Sequence, residues 1–136
     1  MIKGILFDKD GTLLKFDELW NEATKMVMPK FLHKIGIDAD EENVSMAVKS
    51  VGNSIAAMTY RDMTKAVIEF FEIEADDKML SLYSKQLEEL YFEEVTKSTA
   101  NILPTADLDK LFKWLSDRKL IVGLATADTK QTALKC

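Results

Sequence analysis

The stretch Ile5-Leu6-Phe7-Asp8-Lys9-Asp10-Gly11-Thr12-Leu13-Leu14 decides the fold of this chain. Ile2 to Phe7 is a short, almost wholly apolar run that stops abruptly at Asp8. A run of that length, bounded by turn chemistry, predicts a strand covered on both faces, as in a parallel α/β sheet. A second run, Leu120-Ile121-Val122-Gly123-Leu124-Ala125, ends in Thr126. Ligands of open parallel sheets bind outside the carboxyl ends of the strands, and both runs carry polar groups there. Alternation along an extended backbone directs Asp8 and Asp10 the same way and Lys9 the other. Two neighbouring carboxylates repel, so they call for a cation, a shared proton, or both. Gly11 permits a tight turn and close approach of backbone N–H groups to a ligand, and Thr12 can fix the loop by a local hydrogen bond.

An Asp-x-Asp-Gly loop also opens EF-hand calcium sites. Counted from Asp8, that pattern needs glycine where Leu13 stands and glutamate where Leu19 stands, so it is excluded.

With these residues in view, the stretch from Ile5 to Leu14 resembles the first motif of the haloacid dehalogenase-like hydrolases, in particular the phosphoglycolate-phosphatase-like branch. The resemblance implies a Rossmannoid α/β core with a parallel sheet and an inserted helical cap. It assigns Asp8 as the nucleophile that forms an aspartyl phosphate, and Asp10 as general acid and then general base. Both would help to hold Mg2+, Asp10 through its backbone carbonyl. Gly11, Thr12, Thr126 and Ala127 fall on phosphate-binding positions. Leu120 to Thr126 resembles the second motif, although Ala127 stands where the family commonly has Asn. Transporting ATPases of the superfamily carry Thr at the position of Asp10, and dehalogenases usually lack that second Asp. The resemblance thus implies a magnesium-dependent phosphatase acting on a small phosphorylated metabolite such as phosphoglycolate or a sugar phosphate. The alternatives are a phosphomutase of the same superfamily and a non-catalytic phosphate- or partner-binding module.

Between the two apolar runs the pattern is helical. Trp20, Ala23, Val27 and Phe31 share a face, with Pro29 predicted to kink or restart the helix near Met28. Glu41 to about Lys49 forms a second helix. Met63, Ala66, Val67, Phe70 and Phe71 mark a third, and Met79, Leu80, Tyr83, Leu87, Leu90 and Tyr91 a fourth behind Asp76-Asp77. A further helix from Ala106 to Asp117 leads into the second strand, and another begins at Thr129. This predicts a core of residues 1–16 and 100–136, with residues 17–99 inserted as the cap. His33, the glutamates 88, 89, 93 and 94, and both tryptophans read as surface or packing residues.

The bulk composition suits a globular protein: 136 residues, 47% hydrophobic, 30% charged, with a net charge of −5. An acidic balance argues against a nucleic-acid partner. No run approaches the ~20 apolar residues of a membrane span, and the start is a poor signal peptide. The single cysteine, Cys136, allows no internal disulfide, which fits a cytoplasmic protein. The family's third-motif Lys and fourth-motif acids have no match here; Lys130 and Lys135 belong to the helix after Thr126. The chain therefore reads as interrupted, with Ile2 to Phe7 expected to become a sheet edge prone to self-association.

Overall fold

The computed structural model describes residues 1–15, 17–97 and 102–134. Phe16, residues 98–101, Lys135 and Cys136 lie outside the described set. The chain is an α/β protein in which a parallel pair of strands is separated by a long helical stretch. β1 (Gly4–Asp8) and β2 (Ile121–Ala125) run in register from Gly4 opposite Ile121 to Asp8 opposite Ala125. Parallel neighbours need a crossover, since a tight turn cannot reverse the chain twice. Here the crossover carries α1 (Asp17–Lys34), α2 (Glu41–Val51), a 3-10 segment (Gly52–Ala57), α3 (Tyr60–Phe70), α4 (Asp77–Lys97) and α5 (Leu108–Asp117). A short α6 (Lys130–Ala133) follows β2.

The helical elements form because their starts are capped and their apolar stripes meet. Asp40 accepts from the Asn43 N–H at 2.7 Å at the head of α2. Thr59 and Asp62 make a reciprocal capping box at the head of α3. Asp107 caps α5 through the Lys110 N–H. Each such cap satisfies donors that the helix cannot, a contribution of about 1 kcal/mol. α1, α2, α3 and α4 then bury one continuous cluster that includes Val27, Phe31, Leu32, Val67, Leu87 and Tyr91.

The elements depart from the sequence expectations at Pro29 and in the covering of the strands. α1 is continuous through Pro29. Proline forfeits one helical hydrogen bond, but Val27, Met28, Phe31 and Leu32 around it are fully buried, and that packing holds the helix together. The strands, predicted to be covered on both faces, are not. Phe7 packs edge-to-face on Phe112 of α5, with ring centroids 6.1 Å apart. On the opposite face Leu6 and Ile121 are 69% and 73% exposed. Among the described residues no further strand flanks the pair. Among the described residues, no helix is long and apolar enough to cross a membrane.

Candidate active site

Because Asp8 and Ala125 are partners in the parallel register, the loops after β1 and β2 leave the same edge of the sheet. That places the first-motif loop beside Thr126, Ala127 and Asp128. The loop after Asp8 is tight. Leu13 and Leu14 N–H groups both donate to the Lys9 carbonyl, at 2.9 and 3.0 Å, and the Gly11 N–H donates to the Leu14 carbonyl at 2.8 Å. Gly11 has φ +81°, and a Cβ there would meet nothing within 4 Å. Backbone conformation rather than space is what requires glycine. A second strand of chain straps the loop from outside: Thr105 N–H donates to Leu13 O at 2.9 Å, and Lys15 N–H to Leu103 O at 2.7 Å. The Thr105 hydroxyl adds a 2.5 Å bond to Thr12 O.

Asp8 is exposed and makes no ion pair among the described residues. Its Oδ2 accepts a hydrogen bond from the Thr12 hydroxyl at 3.2 Å. Thr126, half-buried at the end of β2, accepts the Asp128 N–H on its Oγ1 at 3.1 Å, which leaves its own hydroxyl hydrogen to donate elsewhere. Ala127 beside it offers only backbone. The structure thus gathers Asp8, Asp10, Gly11, Thr12, Thr126 and Ala127 at one sheet edge.

Lys9 does not oppose the two aspartates as strand alternation predicts. β1 ends at Asp8, so alternation no longer applies, and Lys9 turns inward to become 3% exposed. Its Nζ lies 2.8 Å from Asp10 Oδ1 and 2.8 Å from Asp128 Oδ2, and 5.7 Å from the Trp20 ring centroid. The Tyr60 hydroxyl donates to Asp128 Oδ1 at 3.3 Å. The indole of Trp20 also hydrogen-bonds Asp10. So Asp8 faces outward, while Asp10 belongs to a buried cluster with Lys9 and Asp128. A cavity of about 20 Å³, room for roughly one water, adjoins it between Asp10, Trp20, Met58, Tyr60 and Asp128.

Electrostatics follow from that burial. Desolvation pushes the Asp10 carboxyl above its usual range; Lys9 opposes the shift and Asp128 adds to it. Burial works against the Lys9 ammonium, but the two carboxylates outweigh it and its pKa is raised. Burial first, then the Asp128 charge, drives the Tyr60 hydroxyl upward, so it stays protonated.

Asp128, Tyr60 and Trp20 escape a motif-based reading. The signal for Asp128 was present as a second polar residue after β2, two beyond Thr126. Trp20 does sit on an apolar helix face, but one that abuts Asp10. Trp114 is half-exposed, with the Arg118 guanidinium 3.7 Å from its ring centroid, so it is a surface residue and not core. His33 is exposed, as its sequence context suggests.

No three His, Cys, Asp or Glu side chains among the described residues are gathered to hold a metal ion. Two hard oxygen donors nevertheless lie two residues apart in the loop: the exposed Asp8 carboxylate, and the Asp10 main-chain carbonyl, which accepts no hydrogen bond from another described backbone group. Such donors fit part of the shell of about six oxygens that magnesium takes.

The family described as haloacid dehalogenase-like hydrolase matches residues 2–136. No curated protein matches the chain. The crystal structure of a hydrolase from Pseudomonas syringae superposes with a TM-score of 0.66 at 19% identity, covering 98% of this chain and 53% of that one. The chain spans about half the length of that structure, and at this identity the likeness speaks to the fold. Fold, first-motif loop and family match agree: the chain belongs to the haloacid dehalogenase-like hydrolases.

Proposed function

We propose that the chain carries the nucleophile-bearing part of a magnesium-dependent phosphatase of the phosphoglycolate-phosphatase-like branch. Its substrate is a small phosphate monoester, phosphoglycolate-like or sugar-phosphate-like, in the cytoplasm. The observation that carries the reading is the division of labour between two carboxyls two residues apart. Asp8 is exposed and held by Thr12, whereas the Asp10 side chain is largely withdrawn from solvent with its pKa raised. A nucleophile needs to be ionised and accessible, and a general acid needs a proton to give.

In this mechanism an Asp8 carboxylate oxygen attacks phosphorus in line with the ester oxygen. The P–O bond to the leaving group breaks as Asp10 delivers its proton to that oxygen. An aspartyl phosphate remains on Asp8. Asp10, now a carboxylate, takes a proton from a water that attacks phosphorus, and inorganic phosphate leaves with Asp8 regenerated. The Thr126 hydroxyl and the backbone of Gly11, Thr12 and Ala127 serve as donors to the phosphoryl oxygens. Asp8 and the Asp10 carbonyl would hold magnesium, which would supply positive charge against the phosphoryl group. The inserted helices act as the cap that covers the site and excludes water. The test is hydrolysis of 4-nitrophenyl phosphate by the full-length gene product with and without magnesium. Turnover that needs neither the metal nor Asp8 would refute the reading.

A further inference from the structure

Lys9 is a fully charged side chain withdrawn from solvent at the base of the candidate site. Its Nζ bridges Asp10 Oδ1 and Asp128 Oδ2 at 2.8 Å each, and the side chains of the three residues are 4%, 11% and 5% exposed. Removing three charges from water is costly, and an apolar trio of similar volume would be no less stable. A fold that needed only cohesion here has cheaper solutions. What the bridge does provide is direction. Asp10 lies in a turn, where its carboxyl could rotate about χ1 and χ2. The Lys9 ammonium fixes Oδ1, and with it the direction in which the carboxyl presents its other oxygen. Asp128 fixes Lys9 in turn, because an ammonium on a four-carbon stem is poorly oriented by one partner. Asp128 is itself tied on two sides: its N–H bonds Thr126 Oγ1 at 3.1 Å, and its Oδ1 accepts from Tyr60 of α3 at 3.3 Å.

We propose that Lys9, anchored by Asp128, is a positioning residue that aims the Asp10 carboxyl at the leaving oxygen, and that Tyr60 ties this bridge to the helical stretch. The inference rests on the acid role given to Asp10 above. It extends that role to three residues outside the first-motif aspartates. Tyr60 sits in the element that covers the site, so displacement of α3 relaxes the bridge, and the acid is fully oriented only when the helices are seated.

The test has two arms. In the first, kcat/KM of the full-length gene product is measured for aryl phosphates of graded leaving-group basicity, in the wild type, Lys9→Met, Lys9→Arg, Asp128→Asn and the Lys9→Met/Asp128→Asn pair. Misaiming the acid should cost roughly tenfold to a hundredfold for basic leaving groups and little for 4-nitrophenyl phosphate. The double variant should be no worse than the worse single one, because the two act as a unit. Equal losses along the series, or losses that multiply, overturn the proposal. In the second arm the ammonium 15N–1H resonance of Lys9 is followed by NMR in the 136-residue chain, which requires no turnover. A held ammonium exchanges slowly with water; the resonance should persist in wild type and vanish in Asp128→Asn. An unchanged resonance in Asp128→Asn, or none in wild type, also overturns the proposal. Absence of any turnover in wild type, with the resonance behaving as expected, refutes the phosphatase reading while the bridge stands. If Lys9→Met fails to fold, the isosteric Asp128→Asn decides both arms.

Discussion

Thr12 Oγ1 stands 3.2 Å from Asp8 Oδ2 and donates to it across one turn of loop. The bond occupies Oδ2, and in the proposed mechanism Oδ1 is the oxygen that attacks phosphorus. Asp8→Asn keeps the shape and removes the anion, and an amide oxygen is no substitute nucleophile. Turnover on 4-nitrophenyl phosphate should fall by a factor on the order of 10⁴ or more. Thr12→Val deletes only the orienting bond and should cost far less, about tenfold. Stopped-flow quench with 32P-labelled substrate should trap labelled protein in wild type and none in Asp8→Asn. Retention of label by Asp8→Asn would relocate the nucleophile.

In the proposed mechanism Asp10→Asn removes the proton donor without removing Asp8. The loss should be about 10²- to 10⁴-fold for alkyl phosphates. It should shrink in kcat/KM as the leaving group becomes more acidic, because an acidic phenol departs without help. A flat loss across an aryl series would mean that Asp10 holds structure instead of moving a proton.

How much of this was legible beforehand depends on whether the signal was local. The strands, the long helices and the first-motif loop come from period, caps and glycine placement, all contained within a few residues of sequence. Asp8 and Thr126 could be brought to one edge because apolar runs preceding each predict parallel strands, and the register bears that out. The Lys9–Asp128 bridge could not be read this way. It joins residues 119 positions apart, and the strand alternation that would have sent Lys9 outward stops one residue too early. Pro29 failed for the complementary reason: propensity argued for a break, and burial of the residues around it won. Strand coverage failed because apolar content predicts that a residue would gain from burial, not that a neighbouring layer is present.

Thr24 and Tyr91 make a buried polar pair inside the helical cluster, at 2.8 Å. The Thr24 hydroxyl donates to Trp20 O at 2.6 Å, so Tyr91 must be the donor to Thr24 and must remain protonated. Burial pushes the Tyr91 pKa up to about 12 from a model-peptide value of 10.0. The unfolded chain therefore loses this proton first, and stability present below pH 10 is lost as pH rises toward 12. Tyr91→Phe should cost about 1 kcal/mol at neutral pH through the lost bond. The same variant should flatten the decline between pH 10 and 12, by up to about 1.4 kcal/mol per pH unit. Urea denaturation across that range reads both effects; parallel pH profiles for wild type and Tyr91→Phe would contradict the burial argument.

The open face of the β1–β2 pair is smooth as well as apolar. Gly4 and Gly123 lie on it with Leu6 and Ile121, and Leu6 folds over Gly123 so closely that a Cβ there would stand 2.9 Å from Leu6 Cδ1. Leu6 and Ile121 are more than two-thirds exposed, and the outer edge of β1 has no strand beside it among the described residues. A flat apolar strand pair with free backbone groups templates association, and natural sheets blunt such edges with lysine. The 136-residue chain should accordingly show a mass that rises with concentration in size-exclusion chromatography with light scattering. Leu6→Lys or Ile121→Lys should return it toward the monomer. Either change should alter unfolding free energy by about 0.5 kcal/mol or less, since both side chains are more than two-thirds exposed in the folded chain. A wild-type chain that stays monomeric to millimolar concentration would show that exposure alone is not enough to drive pairing here. Association that survives both lysine substitutions would place the contact elsewhere on the molecule.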